Sequence, residues 1–229
     1  MISEWQGEML TQVEACRAKA RHEEICDFRM ARRNAYVRQK GKTMRKLILA
    51  SRSPRRQELL AMLDLPFEVM VSDTDETIPQ TDPAKVVEKL SARKAEAVSC
   101  QVTDAIVIGA DTVVSVDEWI LGKPKDKEEA REMITLLQGR SHMVYTGVTI
   151  QETKDGGRIC TFSEGTRVNV APMNEKEIEA YIASEEPYDK AGAYGIQGLF
   201  GKFIVGIEGD YYNVVGLPVH RLYEEMKNF

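Results

Sequence analysis

From Lys46 onward, short apolar runs alternate with stretches in which apolar residues recur every three or four positions. The run Leu47-Ile48-Leu49-Ala50 predicts a buried strand with a sharp end. Ser53-Pro54 is the N-cap and first-turn signature of a helix, which leucines continue over 57–63. A second strand is expected over 67–71. Pro83 then opens a helix over 83–98 whose inner face is Val86, Val87, Leu90, Ala95 and Val98. The third strand is expected over 105–108. Asp126, with Glu129 three residues on, caps a helix to Leu137 that Gly139 stops. Segments 144–151 and 158–170 predict a strand pair around the hairpin turn Asp155-Gly156-Gly157. Asn174 caps a helix to Ser184, and a glycine-rich loop leads to a strand over 203–207. A turn at Gly209-Asp210 and one final helix through Tyr223 and Met226 complete the chain. Helices alternate with strands in the first half and antiparallel pairing dominates the second. The pattern is α/β, a mixed twisted sheet flanked by helices.

The first 43 residues follow a looser rhythm. Residues 3 to about 33 read as one helix with Trp5, Met9, Val13, Cys16, Ile25 and Phe28 as its apolar positions, and 39–43 reads as a linker. The expected division is a helical extension and linker over 1–43 and a main α/β domain over 44–229. Charge is divided as unevenly. The whole chain carries −5, but its first 46 residues hold eleven basic and six acidic side chains, about +5, leaving the rest near −10. An acidic body binds nucleic acid poorly, and acids interrupt the basic face of the extension, whose aromatics are only Trp5, Phe28 and Tyr36. Nucleic acid is therefore not an expected partner. No apolar run reaches bilayer length, so no membrane partner is expected. Cys16, Cys26, Cys100 and Cys160 form no C-x-x-C pair and read as reduced thiols of a cytoplasmic protein. His22, His142 and His220 stand apart and read as structural or surface residues.

Four places carry candidate chemistry. The first strand breaks into Ser51-Arg52-Ser53-Pro54-Arg55-Arg56, hydroxyls and guanidiniums at a helix N-terminus. That arrangement suits an anion, although a plain strand-to-helix turn with solvated arginines has the same sequence. Val107-Ile108-Gly109-Ala110-Asp111-Thr112 reads as an apolar strand ending in a small-residue turn that presents a carboxylate. Leu121-Gly122-Lys123-Pro124 holds a lysine in a turn, and 189–198 is a glycine-rich loop carrying one amide side chain, Gln197. Ser72-Asp73-Thr74-Asp75-Glu76 is acidic and would ordinarily be a solvated turn; Lys94 could equally be a surface lysine.

Taken together and in order, S-x-S-P-R-R, G-A-D-T, G-K-P and D-K-A-G-A-Y-G-I-Q-G resemble the Maf family of nucleoside triphosphate pyrophosphatases, from about Lys46 to the C-terminus. The resemblance implies a Maf/inosine-triphosphatase-like fold and hydrolysis of a nucleoside triphosphate to the monophosphate and pyrophosphate. It implies that Asp111 accepts the proton and, with Glu76, meets a divalent cation, Mg²⁺ or Mn²⁺. Ser53, Arg56, Lys94 and Lys123 then hold the phosphates. The arginine, threonine and glutamine that mark the family's dTTP/UTP-directed branch fall on Arg55, Thr112 and Gln197. The resemblance further implies a homodimer, and it leaves open a second role as a nucleotide-binding regulator of septum formation without essential turnover.

Overall fold

The computed structural model describes residues 45–71, 74, 82–154 and 156–229. The expected N-terminal helix, the 39–43 linker, Glu76 and Asp155 lie outside the described residues. Seven strands form one sheet in the order β2-β1-β3-β5-β6-β7, with β4 paired to β3 off that path. They are β1 (Lys46–Ala50), β2 (Glu68–Val69), β3 (Ala105–Val116), β4 (Trp119–Leu121), β5 (Ser141–Glu152), β6 (Ile159–Val170) and β7 (Ile204–Glu208). Strand β1 pairs parallel with β2 and β3, and every other pairing is antiparallel. The sheet is mixed, as expected from the sequence.

Helices α1 (Pro54–Ala61), α2 (Pro83–Ser99), α3 (Lys127–Leu137), α4 (Glu175–Ile182), α5 (Tyr211–Val215) and α6 (Val219–Met226) cover the sheet. Successive side chains of β1 go to opposite faces. Leu47 and Leu49 join Leu59, Leu60, Leu217 and Leu222 on one side. Ile48 and Ala50 join Ala95 and Val98 of α2 on the other. With both faces covered, β1 and β3 read as continuous apolar runs and not as alternating ones. A third apolar cluster gathers α3, α4 and Phe200 beyond the far half of β3. Capping follows the sequence closely: Asp126 accepts from the Glu129 amide, and Asn174 and Glu177 form a capping box.

Several boundaries differ from expectation. The expected turn at Gly109-Ala110 does not exist; β3 runs straight through to Val116 and turns at Asp117, which takes a positive φ of 52°, into the unanticipated β4. Gly109 is small for another reason. A Cβ there would sit 2.2 Å from the Ser91 carbonyl oxygen, so α2 lies directly against the strand. Gly147 on β5 meets the same helix at Val87. The final helix is two helices, α5 and α6, broken at Gly216-Leu217-Pro218. Gly216 has φ +126°, a conformation a side chain would strain. The second strand shrinks to Glu68–Val69, and Phe203 belongs to a 3₁₀ turn (Leu199–Phe203) instead of opening β7.

Candidate active site

A cleft of about 990 Å³ opens between the β1–α1 loop, the middle of β3, the Gly122-Lys123 turn, the Glu186–Gly198 segment and the α5–α6 junction. Ser53, Arg55, Arg56, Lys94, Asp111, Thr112, Lys123 and Gln197 all line it. Only Glu76, outside the described residues, goes unplaced. Six basic side chains (Arg52, Arg55, Arg56, Lys94, Lys123, Lys190) face three acidic ones (Asp111, Glu186, Asp189) among the described lining residues. The acidic body thus concentrates positive charge where the sequence motifs converge.

Asp111 sits in mid-strand, opposite Gly147 of β5, and not at a strand end. It is buried, and Lys94 Nζ approaches its Oδ1 to 2.5 Å. The close seat of α2 on Gly109 brings Lys94 there, so helix packing sets the geometry of this ion pair. Lys94 is therefore an inward-facing residue and not a surface lysine, its side chain only 17% exposed.

Arg56 has been drawn into the protein. Its Nε donates to the Gly216 carbonyl at 2.9 Å, Nη1 to the Ala110 carbonyl at 2.8 Å and to Ser51 Oγ at 3.2 Å, and Nη2 to Thr112 Oγ1 at 2.9 Å. One guanidinium thereby joins the β1–α1 loop, the strand carrying Asp111 and the α5–α6 break. Thr112 continues the network, because its hydroxyl lies 2.9 Å from that of Thr146, which donates to the Asn213 carbonyl. Thr146 has one proton and gives it to Asn213, so the proton of Thr112 goes to Thr146. Arg56 and Thr112 spend these bonds on the floor of the cleft.

Ser53 occupies the N-cap of α1, but its side chain makes no capping bond. Arg55 pairs with Asp189 at 3.2 Å across the cleft. Lys190 bridges Asp189 at 2.5 Å and the Glu186 carbonyl at 2.7 Å, the local ion pair its position beside Asp189 suggests. Burial pushes the Asp189 carboxyl up, but Lys190 and Arg55 outweigh it and hold that carboxyl below its usual range. Lys123 and Gln197 are exposed at the mouth, without side-chain partners among the described residues.

Two neighbours are not among the candidate residues singled out in the sequence, although Tyr194 lies inside the D-K-A-G-A-Y-G-I-Q-G run. Tyr194 lines the cleft and meets His142 Nε2 at 2.6 Å. Burial, helped by Arg140, lowers His142 to about 4 and keeps its ring neutral. Its Nδ1 has no partner among the described residues. Glu186, the other neighbour, lies beneath the glycine-rich loop. Its only sequence cue is position, three residues before Asp189.

No cluster of three or more His, Cys, Asp or Glu suited to a metal occurs among the described residues. Mg²⁺ commonly needs only one or two protein carboxylates beside substrate phosphates and water. A hard carboxylate at Asp111, in a cleft whose described charges are mainly basic, fits that donor set.

The model of the Maf-like protein family matches residues 46–229. A dTTP/UTP pyrophosphatase of Bacillus cereus is 51% identical over 195 residues, covering 85% of this chain and 95% of the relative. One of Bacillus anthracis is 52% identical over 187 residues, 81% and 96% of the two chains. Among solved structures, the Staphylococcus aureus Ham1 protein aligns with 80% of this chain and 99% of its own, at 13% identity and TM-score 0.47. With a family model that spans every described element and relatives identical at half their positions, this chain belongs to the Maf-like protein family.

Proposed function

We propose that this protein hydrolyses dTTP and UTP between the α- and β-phosphates, releasing the nucleoside monophosphate and pyrophosphate. The observation that carries the reading is the buried Asp111–Lys94 pair inside a cleft whose described charges are mainly basic. The names of the half-identical relatives support the choice of substrate.

In this reading the Asp111 carboxylate orients the attacking water and takes its proton. The water oxygen bonds to the α-phosphorus as the α–β bridging oxygen leaves with pyrophosphate. Lys94 fixes the carboxylate, and Lys123, Ser53 and the α1 N-terminus hold the phosphate oxygens. Arg56 keeps Asp111 and Thr112 in place by its four bonds to the cleft floor. Arg55 and Gln197 face the base, with Thr112 beneath them. Asp111 and Glu76 would hold Mg²⁺ or Mn²⁺, which when bound neutralises phosphate charge. Gln197 offers one donor and one acceptor, the complement of a thymine or uracil imide edge.

Pyrophosphate release from dTTP, UTP, CTP and GTP with Mg²⁺ tests the proposal. Release from dTTP and UTP well above the other two is expected. Binding without release, or equal release from all four, would overturn it.

A further inference from the structure

The glycine-rich loop that carries Gln197 is draped over a single carboxylate. The Leu199 amide donates to Glu186 Oε2 at 2.8 Å, and the buried Tyr181 hydroxyl lies 3.3 Å from Oε1. Gly198 lies so close that a Cβ there would fall 2.1 Å from Oε1 and 2.4 Å from Cδ of Glu186. Below, Lys190 donates to the Glu186 carbonyl at 2.7 Å, and Gly195 leaves room for the Lys190 chain, whose Cε would otherwise be 2.7 Å from a Cβ. Phe200, fully buried, ties down the far end of the loop. Gln197 itself has no side-chain partner among the described residues. Its position is therefore set by its backbone, and that backbone is held within two residues by the Glu186 carboxylate.

We propose that Glu186 is a positioning residue for base selection, fixing the Gly195–Gly198 loop so that the Gln197 amide meets the pyrimidine edge. The inference rests on the reading that Gln197 selects the base. The same 3₁₀ turn (Glu186–Asp189) ends in Asp189, which pairs with Arg55 on the opposite wall. One turn thus holds both side chains that face the base. An acceptor at Glu186 is required because the Leu199 amide follows a tight turn, Gly198 donating to the Gly195 carbonyl at 3.2 Å. Charge strengthens the bond. Tyr181 responds to the same carboxylate: burial first, and then Glu186, push its hydroxyl pKa upward.

Two variants break the contact from opposite sides. Glu186→Ala removes the acceptor. Gly198→Ala keeps the acceptor but displaces the carboxylate, and its backbone at φ −102° and ψ −155° accepts an alanine. Both should cut the ratio of kcat/KM for dTTP over CTP about threefold to tenfold, the worth of one ordinary hydrogen bond. Glu186→Gln, which retains an acceptor oxygen, should recover most of the ratio. Either alanine variant combined with Gln197→Ala should discriminate no worse than Gln197→Ala alone, because the carboxylate acts through that side chain. Thermal unfolding of each variant reports whether the fold survives. A uniform loss across dTTP, UTP, CTP and GTP, or an additive double mutant, would overturn the proposal and leave Glu186 a structural residue. If Gln197→Ala shifts the ratio and neither alanine variant does, Glu186 alone is excluded. If Gln197→Ala leaves the ratio unchanged, the assignment of base selection to Gln197 falls and this inference falls with it.

Discussion

Asp111 and Arg56 divide the work of the cleft at the scale of single residues. Asp111 faces the open cleft beside one cation, whereas Arg56 turns four donor contacts back into the protein. Substituting Asp111→Asn keeps the shape but removes the proton acceptor. Turnover should fall roughly a hundredfold or more with folding intact, as read by pyrophosphate release and circular dichroism. Activity within a few-fold of the parent would remove Asp111 from the chemistry. Arg56→Lys poses a different question. A lysine has the charge but not the planar fork, and it cannot reach the Ala110 and Gly216 carbonyls and Thr112 at once. Leaving such groups unpaired costs about 1–3 kcal/mol each, so urea unfolding should show a clear loss of stability along with lost activity. A variant as stable as the parent but weaker only in KM would instead mark Arg56 as a direct phosphate ligand.

Among the elements, α2 has the greatest influence on the site, because its contact with β3 carries Lys94 to Asp111. Gly109→Ala should force that helix off the strand, since the new Cβ would meet the backbone of Ser91 and of Ala95. Lower thermal stability and lower turnover are expected together. A variant that loses neither would show that the helix yields without moving Lys94. This contact also marks where sequence reasoning stops. Capping residues such as Asp126 and Asn174 were legible because their partners lie three residues away. The apolar run of β1 was legible because burial on both faces leaves a continuous pattern. Gly109 reads in the sequence as a turn glycine, because the groups that demand it sit on α2, about eighteen residues earlier in the chain. Val113-Val114 continues the apolar run and the strand past Asp111. The site residues were found through motifs, but the inward commitment of Arg56 depends on Gly216, 160 positions distant.

Across the whole molecule, the sheet carries unlike charge arrangements at two places along the β3–β5 pair. Asp111 lies opposite Gly147, while five positions along β5, about 17 Å away at strand spacing, Glu152 lies opposite Ile106. The Glu152 side chain is fully buried, with Arg45 at 2.5 Å, Lys154 at 3.1 Å and Arg158 at 3.7 Å. Burial acts to raise its pKa, but the bonds from Arg45, the Arg158 amide and Lys154 prevail and lower it to about 2. A carboxyl depressed on folding stabilises the native state above its unfolded value, near 4.5, and that contribution is lost as pH falls through about 2. The described domain begins at Arg45, one of the three bases, so the boundary of the domain can be tested through this carboxylate. A chain of residues 44–229 should fold and hydrolyse dTTP as the full chain does, because the matched family region starts at residue 46. Removing Arg45 as well, to leave 46–229, should lower the unfolding temperature at neutral pH, and the difference should narrow as pH falls from about 4.5 toward 2, where the stabilisation carried by the ionised Glu152 is lost. Thermal unfolding of the two chains between about pH 7 and 3 decides the matter. A difference that stays constant with pH would separate Arg45 from Glu152, and an insoluble or inactive 44–229 chain would refute the boundary itself.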